Sequence, residues 1–141
     1  MAKPKIRHLA IYAPDTDKLA AFYVNVFDME EVLRAGPTGK GPVFLTDGYI
    51  NLAILPQSPK GEIPVGLNHF GFHVEDVNSI TDKLVAEGME EPVMRPAGRY
   101  AEFRGSDLYG NMFDLSEHGF QEDEAARGKR QAAKKIERTD V

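Results

Sequence analysis

Residues 67–76 read LNHFGFHVED, and residues 6–15 have already read IRHLAIYAPD. In both stretches an apolar residue stands two places before a histidine, an alternating run follows, and an aspartate closes it. His8 and His69 fall at the same step of the two stretches, 61 residues apart. Residues two apart on a strand share a face, so each stretch predicts a strand that carries a histidine on one chosen face. A strand repeated with its histidine in register predicts two matched halves with something held between them. Imidazole being the commonest metal ligand, a metal ion is the expectation.

The repetition runs past the strands. Residues 15–32, DTDKLAAFYVNVFDMEEV, and 77–92, VNSITDKLVAEGMEEP, each predict a capped amphipathic helix left through Met-Glu-Glu, at 29–31 and 89–91. The helix offset is thus 60 rather than 61. Asp15 is a good N-cap and Asp17 suits the first turn. Leu19, Phe22, Tyr23, Val26 and Phe27 recur at helical spacing and predict one buried stripe, core rather than cofactor site. In the second helix, about 77–87, Val77, Ile80 and Leu84 are the expected buried face, with Gly88 as its C-terminal stop. Two copies of about sixty residues are too few for a solenoid, so a fused pair of modules is the reading.

Between these anchors the first copy supplies three more strands. EVLRAG (31–36) predicts a strand ending in the loop GPTGKG (36–41), which lacks the spacing of a phosphate-binding loop. A mobile loop near a ligand is expected there instead. PVFLT and YINLAIL, joined by Asp47-Gly48, predict a hairpin. In its second strand Tyr49, Asn51 and Ala53 alternate with Ile50, Leu52 and Ile54. The second copy predicts strands around 92–95, 99–104 and 112–117. In the last of these Met112, Asp114 and Ser116 oppose Phe113 and Leu115.

The domain reading is one domain over 1–121, with module one at 5–56, a linker at 57–65 inside the proline-rich PQSPKGEIPV (56–65), and module two at 66–118. A charged C-terminal tail, 122–141, follows, and is expected to be a solvated helix, a dimer arm or disorder. At 141 residues the chain is long enough for a real core. It carries 17 Lys/Arg against 22 Asp/Glu, a net −5. Six of those basic and five of those acidic residues lie in the tail, leaving −6 on the rest. That balance disfavours nucleic-acid and anionic-membrane partners. The absence of cysteine removes disulfides, thiolate ligands and a cysteine nucleophile. No apolar run approaches a membrane span and the first residues lack a signal-peptide core, so a cytoplasmic protein is expected.

The order strand, helix, three strands, twice over, with IRHLAIY, LAAFYVNVFDM, NHFGFHVED and GNMFDLSEHG, resembles the vicinal oxygen chelate superfamily over about residues 5–118. That superfamily includes glyoxalase I, methylmalonyl-CoA epimerase, fosfomycin- and bleomycin-resistance proteins and extradiol dioxygenases. The resemblance implies an α+β fold in which two tandem βαβββ modules form a cupped mixed sheet, with helices on the convex side and a metal in the cup. Family ligands come from the first and last strand of each module, and the matching positions are His8, His69 and Asp114, with Asn51 a possible fourth. Asp114 stands where glutamate is usual and Asn51 where glutamate or glutamine is usual, each one methylene shorter. The implied cofactor is a divalent ion, with Fe2+ favoured and Zn2+, Mn2+ or Ni2+ possible. His73, Tyr12 and His118 share the ligand face or its rim and are the candidates for catalytic or substrate contact. Glu117 has the opposite parity. Arg95, Arg99 and Tyr100 are candidates for an anionic substrate or a solvated strand edge.

Three functions are open on this reading. The favoured one is extradiol-type dioxygenation of a small oxygen-bearing substrate. The second is glyoxalase-type lyase, isomerase or epimerase chemistry, in which a metal stabilises an enediolate while a base moves a proton. The third is ligand sequestration without chemistry, as in bleomycin resistance. A small-molecule substrate and a homodimer are the expected partners.

Overall fold

A computed structural model describes residues 2–58, 60, 62–96 and 101–120. The chain order is β1 (Lys5–Ala13), α1 (Thr16–Phe27), β2 (Glu30–Arg34), β3 (Val43–Thr46), β4 (Asn51–Pro56), β5 (Gly66–His73), α2 (Val77–Ala86), β6 (Val93–Met94), β7 (Phe103–Ser106) and β8 (Met112–Ser116). This is strand, helix, three strands, given twice, in an α+β fold with mixed strand pairing. Contacts group the described residues into two compact units, one drawn from 7–70 and the other from 2–6 and 71–120.

In the first of these units the strand order is β2-β3-β4-β1-β5. β2 and β3, and β3 and β4, run antiparallel, whereas β1 and β4 are parallel, with His8 opposite Asn51 and Ala10 opposite Ala53. A parallel pair needs a long crossover, and α1 with β2 and β3 supplies it. One face of these strands builds the core, in which Ala13, Val43, Leu45, Leu52 and Ile54 bury themselves with Ala20 of α1. Leu9, Ile11, Leu19, Tyr23, Val24 and Met29 pack around them. The other face carries His8, Ala10, Asn51 and Ala53, all buried.

The helix starts as expected, since Asp15 Oδ1 accepts the Lys18 amide at 3.0 Å. Its buried stripe differs from the expected one. Phe22, Val26 and Phe27 are 52, 54 and 63% exposed, and the inward line runs through Thr16 and Ala20, flanked by Leu19, Tyr23 and Val24. The small side chains at 16 and 20 let the helix lie close to the sheet, and this turns the larger residues to its flank. There Phe22, Tyr23 and Phe27 cover part of one another, with ring centroids 5.4–6.5 Å apart.

The loop after β2 has defined hydrogen-bond partners. It is tied to the start of α1: Thr16 N–H donates to the Gly39 carbonyl at 3.1 Å, and Gly39 N–H donates to Asp17 Oδ2 at 2.9 Å. The Thr16 hydroxyl donates to the Gly41 carbonyl. The loop's ends cross so closely that a Cβ on Gly41 would sit 1.6 Å from the Ala35 carbonyl oxygen. Glycine is therefore a steric necessity at that position.

In the second unit the order is β5-β8-β7-β6, entered through the last residues of β5. Phe72 meets Phe113 edge to face at 6.0 Å. Val74, Val77, Ala101, Phe113, Leu115 and Phe120 are buried. Asp76 caps α2 by accepting from Asn78 N–H at 3.0 Å, and Glu117 Oε2 accepts from Val77 N–H at 2.8 Å. Val77 is buried while Ile80 and Leu84 are half-buried, and Gly88 follows the helix at φ 88°. β6 is shorter than the expected 92–95, but the hairpin continues through the Arg95 amide on the Glu102 carbonyl at 2.7 Å. The expected tail, 122–141, lies outside the described residues. Among those described, no helix is long and apolar enough to cross a membrane.

Candidate metal centre

Strand alternation in β1 points His8 away from the core, and the parallel register brings Asn51 of β4 directly beside it. His8 is 2% exposed and Asn51 fully buried. The Asn51 side-chain oxygen lies 2.7 Å from His8 Nδ1. His69 of β5, 6% exposed, repeats the arrangement with its chain neighbour: Asn68 Oδ1 lies 2.8 Å from His69 Nδ1. An amide oxygen only accepts, so each contact calls for a proton on Nδ1. In the neutral rings that assigns the lone pair to Nε2, the atom a metal would take, and the two Nε2 atoms face each other at 3.4 Å, with ring centroids 5.4 Å apart and planes tilted by 46°.

With both rings neutral and protonated at Nδ1, the two Nε2 atoms have no proton to share. A divalent cation satisfies both. Two nitrogens at ~2.1 Å from one ion at a tetrahedral angle stand ~3.4 Å apart. The spacing and the tautomers thus fit a metal ion that takes both rings through Nε2.

Asp114 belongs to the other unit, in β8. It is 4% exposed and stands opposite Arg104 in the β7–β8 ladder. Arg104 Nε donates to Asp114 Oδ1 at 2.7 Å. A charge-assisted bond of this kind fixes the carboxylate's rotation and commits one of its two oxygens. His8, His69 and Asp114 are the buried residues, among those described, that could serve as metal ligands.

The remaining candidates are spread more widely. Tyr12 is half-buried in β1, two steps along the face from Ala10. His73 ends β5 with Nε2 3.1 Å from the Glu117 carbonyl oxygen, which makes Nε2 the donor in that contact. His118 is exposed, and its main-chain N–H reaches Glu102 Oε1 at 3.4 Å. The Glu117 carboxylate is spent on the start of α2, in keeping with its parity. Arg95 is half-buried, while Arg99 and Tyr100 lie outside the described residues. Sequence reasoning missed Asn68 and Arg104. Asn68 was legible as the residue beside a candidate ligand, and Arg104 only through the register of its hairpin.

Comparison with known proteins follows the same lines. Among curated proteins no sequence relative is found. Of the solved structures, a hypothetical protein from Bacillus halodurans C-125 is 18% identical, over 81% of this chain and 94% of its own, with a TM-score of 0.62. A variant of Streptomyces coelicolor methylmalonyl-CoA epimerase, in complex with 2-nitronate-propionyl-CoA, is 20% identical, over 84% and 98%, with a TM-score of 0.58. A variant of 4-hydroxymandelate synthase from Streptomyces coelicolor is also 20% identical, over 81% of this chain but 37% of that one, with a TM-score of 0.62. At these identities the structures share the fold. The family model for the glyoxalase/bleomycin resistance protein/dioxygenase superfamily matches residues 5–118, and with βαβββ given twice over that span, the chain belongs to this superfamily.

Proposed function

We propose that the protein is a divalent-metal-dependent enzyme acting on a small oxygen-bearing substrate, with His8, His69 and Asp114 as ligands, Fe2+ as the favoured ion and extradiol-type dioxygenation as the reaction. The observation that carries this reading is the facing pair of Nε2 atoms at 3.4 Å, each imidazole bonded through Nδ1 to an amide oxygen. Asn51, at the family's fourth position, spends its oxygen on His8, and two histidines with one carboxylate is the donor set that suits non-haem Fe2+. When bound, the ion supplies Lewis acidity and open positions for exchangeable ligands.

The chain's own residues do the rest. His8 and His69 hold the ion from two strands. Asp114, held by Arg104 through Oδ1, is the third proposed donor. Tyr12 and His73 are the proposed proton-handling groups, and His118 is the proposed substrate contact.

A second reading, epimerase or glyoxalase-type proton transfer, is favoured by one observation. The chain spans 98% of the epimerase structure's length but only 37% of the synthase's. Sequestration of a ligand without turnover is the third reading, and the buried ligand set argues for chemistry over it. Protein loaded anaerobically with Fe2+ and offered a panel of catechols should consume O2. If it consumes none but turns over a methylglyoxal–thiol hemithioacetal, the second reading replaces the first. Tight binding of either substrate without turnover establishes the third. We also propose a cytoplasmic homodimer. Light scattering at micromolar concentration should give twice the 15.7 kDa of the chain, and a monomer would overturn it.

A further inference from the structure

We infer that Asn51 and Asn68 are positioning residues, each of which holds one histidine with its proton on Nδ1, so that Nε2 is the nitrogen that would take the metal. Asn51 on this assignment is not a ligand. The inference rests on the metal site proposed above and goes beyond it, because it gives the two histidines separate supports and takes the fourth family position out of the coordination shell.

The geometry is the same twice, from different parts of the chain. Asn51 comes from a neighbouring strand and reaches His8 Nδ1 at 2.7 Å, while Asn68 comes from the adjacent residue and reaches His69 Nδ1 at 2.8 Å. Asn51 is fully buried and Asn68 half-buried. A histidine that binds a metal through one nitrogen is oriented by what its other N–H donates to. Without a fixed partner each ring could flip, or carry its proton on Nε2, and in either case the facing nitrogens would no longer both offer lone pairs. The shorter side chain at 51 accounts for the first support. A glutamate or glutamine there would extend one methylene further from β4. The asparagine amide, in parallel register with His8, stops at the ring.

The test uses the full chain loaded with Zn2+, which is diamagnetic. Long-range proton–nitrogen correlation spectra should show both rings protonated at Nδ1 and coordinated through Nε2, with two imidazole N–H signals protected from solvent exchange. Asn51→Leu should abolish protection of the His8 signal alone and Asn68→Leu that of the His69 signal alone. Each should weaken Zn2+ affinity roughly 10–100-fold, the range for loss of a ligand's hydrogen-bond partner. Asn51→Asp and Asn68→Asp keep an accepting oxygen and should retain both the signal and the affinity, which guards against a leucine variant that fails to fold. If Zn2+ binds but the His8 signal is unprotected in the wild type, or survives in Asn51→Leu, the positioning role is overturned and the metal site stands. If the wild type binds no Zn2+, the metal site falls and the inference falls with it.

Discussion

The two copies of the module use the same frame for different ends. Both give their first strand a histidine, His8 and His69, and both close the following segment with a helix-capping aspartate, Asp15 and Asp76, at the same 61-residue offset. Their last strands diverge. In the first copy Asn51 turns a neutral amide onto a histidine of its own module. In the second, Asp114 carries a buried charge tied to Arg104. A duplicated fold can keep positions and change their work. On the assignment proposed above, the first copy's last strand braces a ligand and the second's offers one.

The sharpest way to break that contrast is to remove the groups in parallel. Asp114→Ala, His8→Ala and His69→Ala should each reduce metal affinity by more than the ~100-fold upper range for a supporting residue, with the circular dichroism spectrum unchanged. Asn51→Ala should stay within that range. Equal losses at 51 and 114, measured by competition with a chelating dye, would show that the last strands do the same job after all. Wild-type metal content in all three ligand variants would remove the site altogether.

A smaller change tests the fit of the shorter acid. Metal–oxygen bonds of ~2.0–2.2 Å leave little slack. With Oδ1 pinned by Arg104, Asp114→Glu should push the carboxylate into the ion and weaken binding about tenfold. Affinity equal to or above wild type would mean that water bridges the gap in the native protein. Asp114→Asn removes the charge and should bind more weakly than wild type. Full affinity in that variant would show that Asp114 is no ligand.

Stability gives the next contrast, between two glycines of different kinds. Gly41, in the first copy, has no room for a methyl group, which would meet the Ala35 carbonyl oxygen at 1.6 Å. Gly110, in the second, has open space but a φ of 85°. Gly41→Ala should therefore destabilise by about 3 kcal/mol, as forced overpacking does. Gly110→Ala should cost only about 1 kcal/mol of backbone strain. Urea unfolding of both variants reads the difference, and a milder loss at Gly41 would show that the loop relaxes where the structure ties it down.

Much of this frame was legible in the sequence because it rests on alternation and caps, which are local. The strand of residues 5–13, the helix starts at Asp15 and Asp76 and the hairpin around Asp47-Gly48 all formed where the residues called for them. The inward face of α1 was not legible. Apolar spacing points to the largest side chains, whereas close approach to a sheet is set by small ones, here Thr16 and Ala20. Nor was the partner of Asp114, because Arg104 meets it only through the hairpin register. Asn51 shows the limit most clearly. Parity put it on the face of His8, but a side chain that ligates and one that braces a ligand share that parity.

The smallest effect tests the copies where they are most alike, in the turns before their last strands. Asp47 and Asp107 lie 60 residues apart, the offset of the two Met-Glu-Glu segments. Asp47 Oδ1 accepts from the Ile50 and Tyr49 amides at 2.7 and 2.9 Å. Asp107 Oδ1 accepts from those of Tyr109 and Asn111 at 2.9 and 3.0 Å, and its Oδ2 accepts from the Asn111 side chain at 2.9 Å. These bonds hold both carboxyls below the ordinary 3.8, for Asp47 chiefly the Ile50 amide and for Asp107 chiefly the Asn111 side chain. A depressed folded pKa means that the unfolded chain takes up its proton first as pH falls. The stability each charge adds is therefore present above pH 3.8 and lost as pH drops through the lower folded value. Asp47→Asn and Asp107→Asn keep an accepting oxygen but no charge. Each should be slightly less stable than wild type at about pH 6, and the gap should close toward about pH 2. Both turns are exposed, so the gap is small and shrinks further in salt. A gap of the same size at both pH values would show that geometry, not charge, holds the turn. A gap for only one of the two variants would show that the copies have diverged here too.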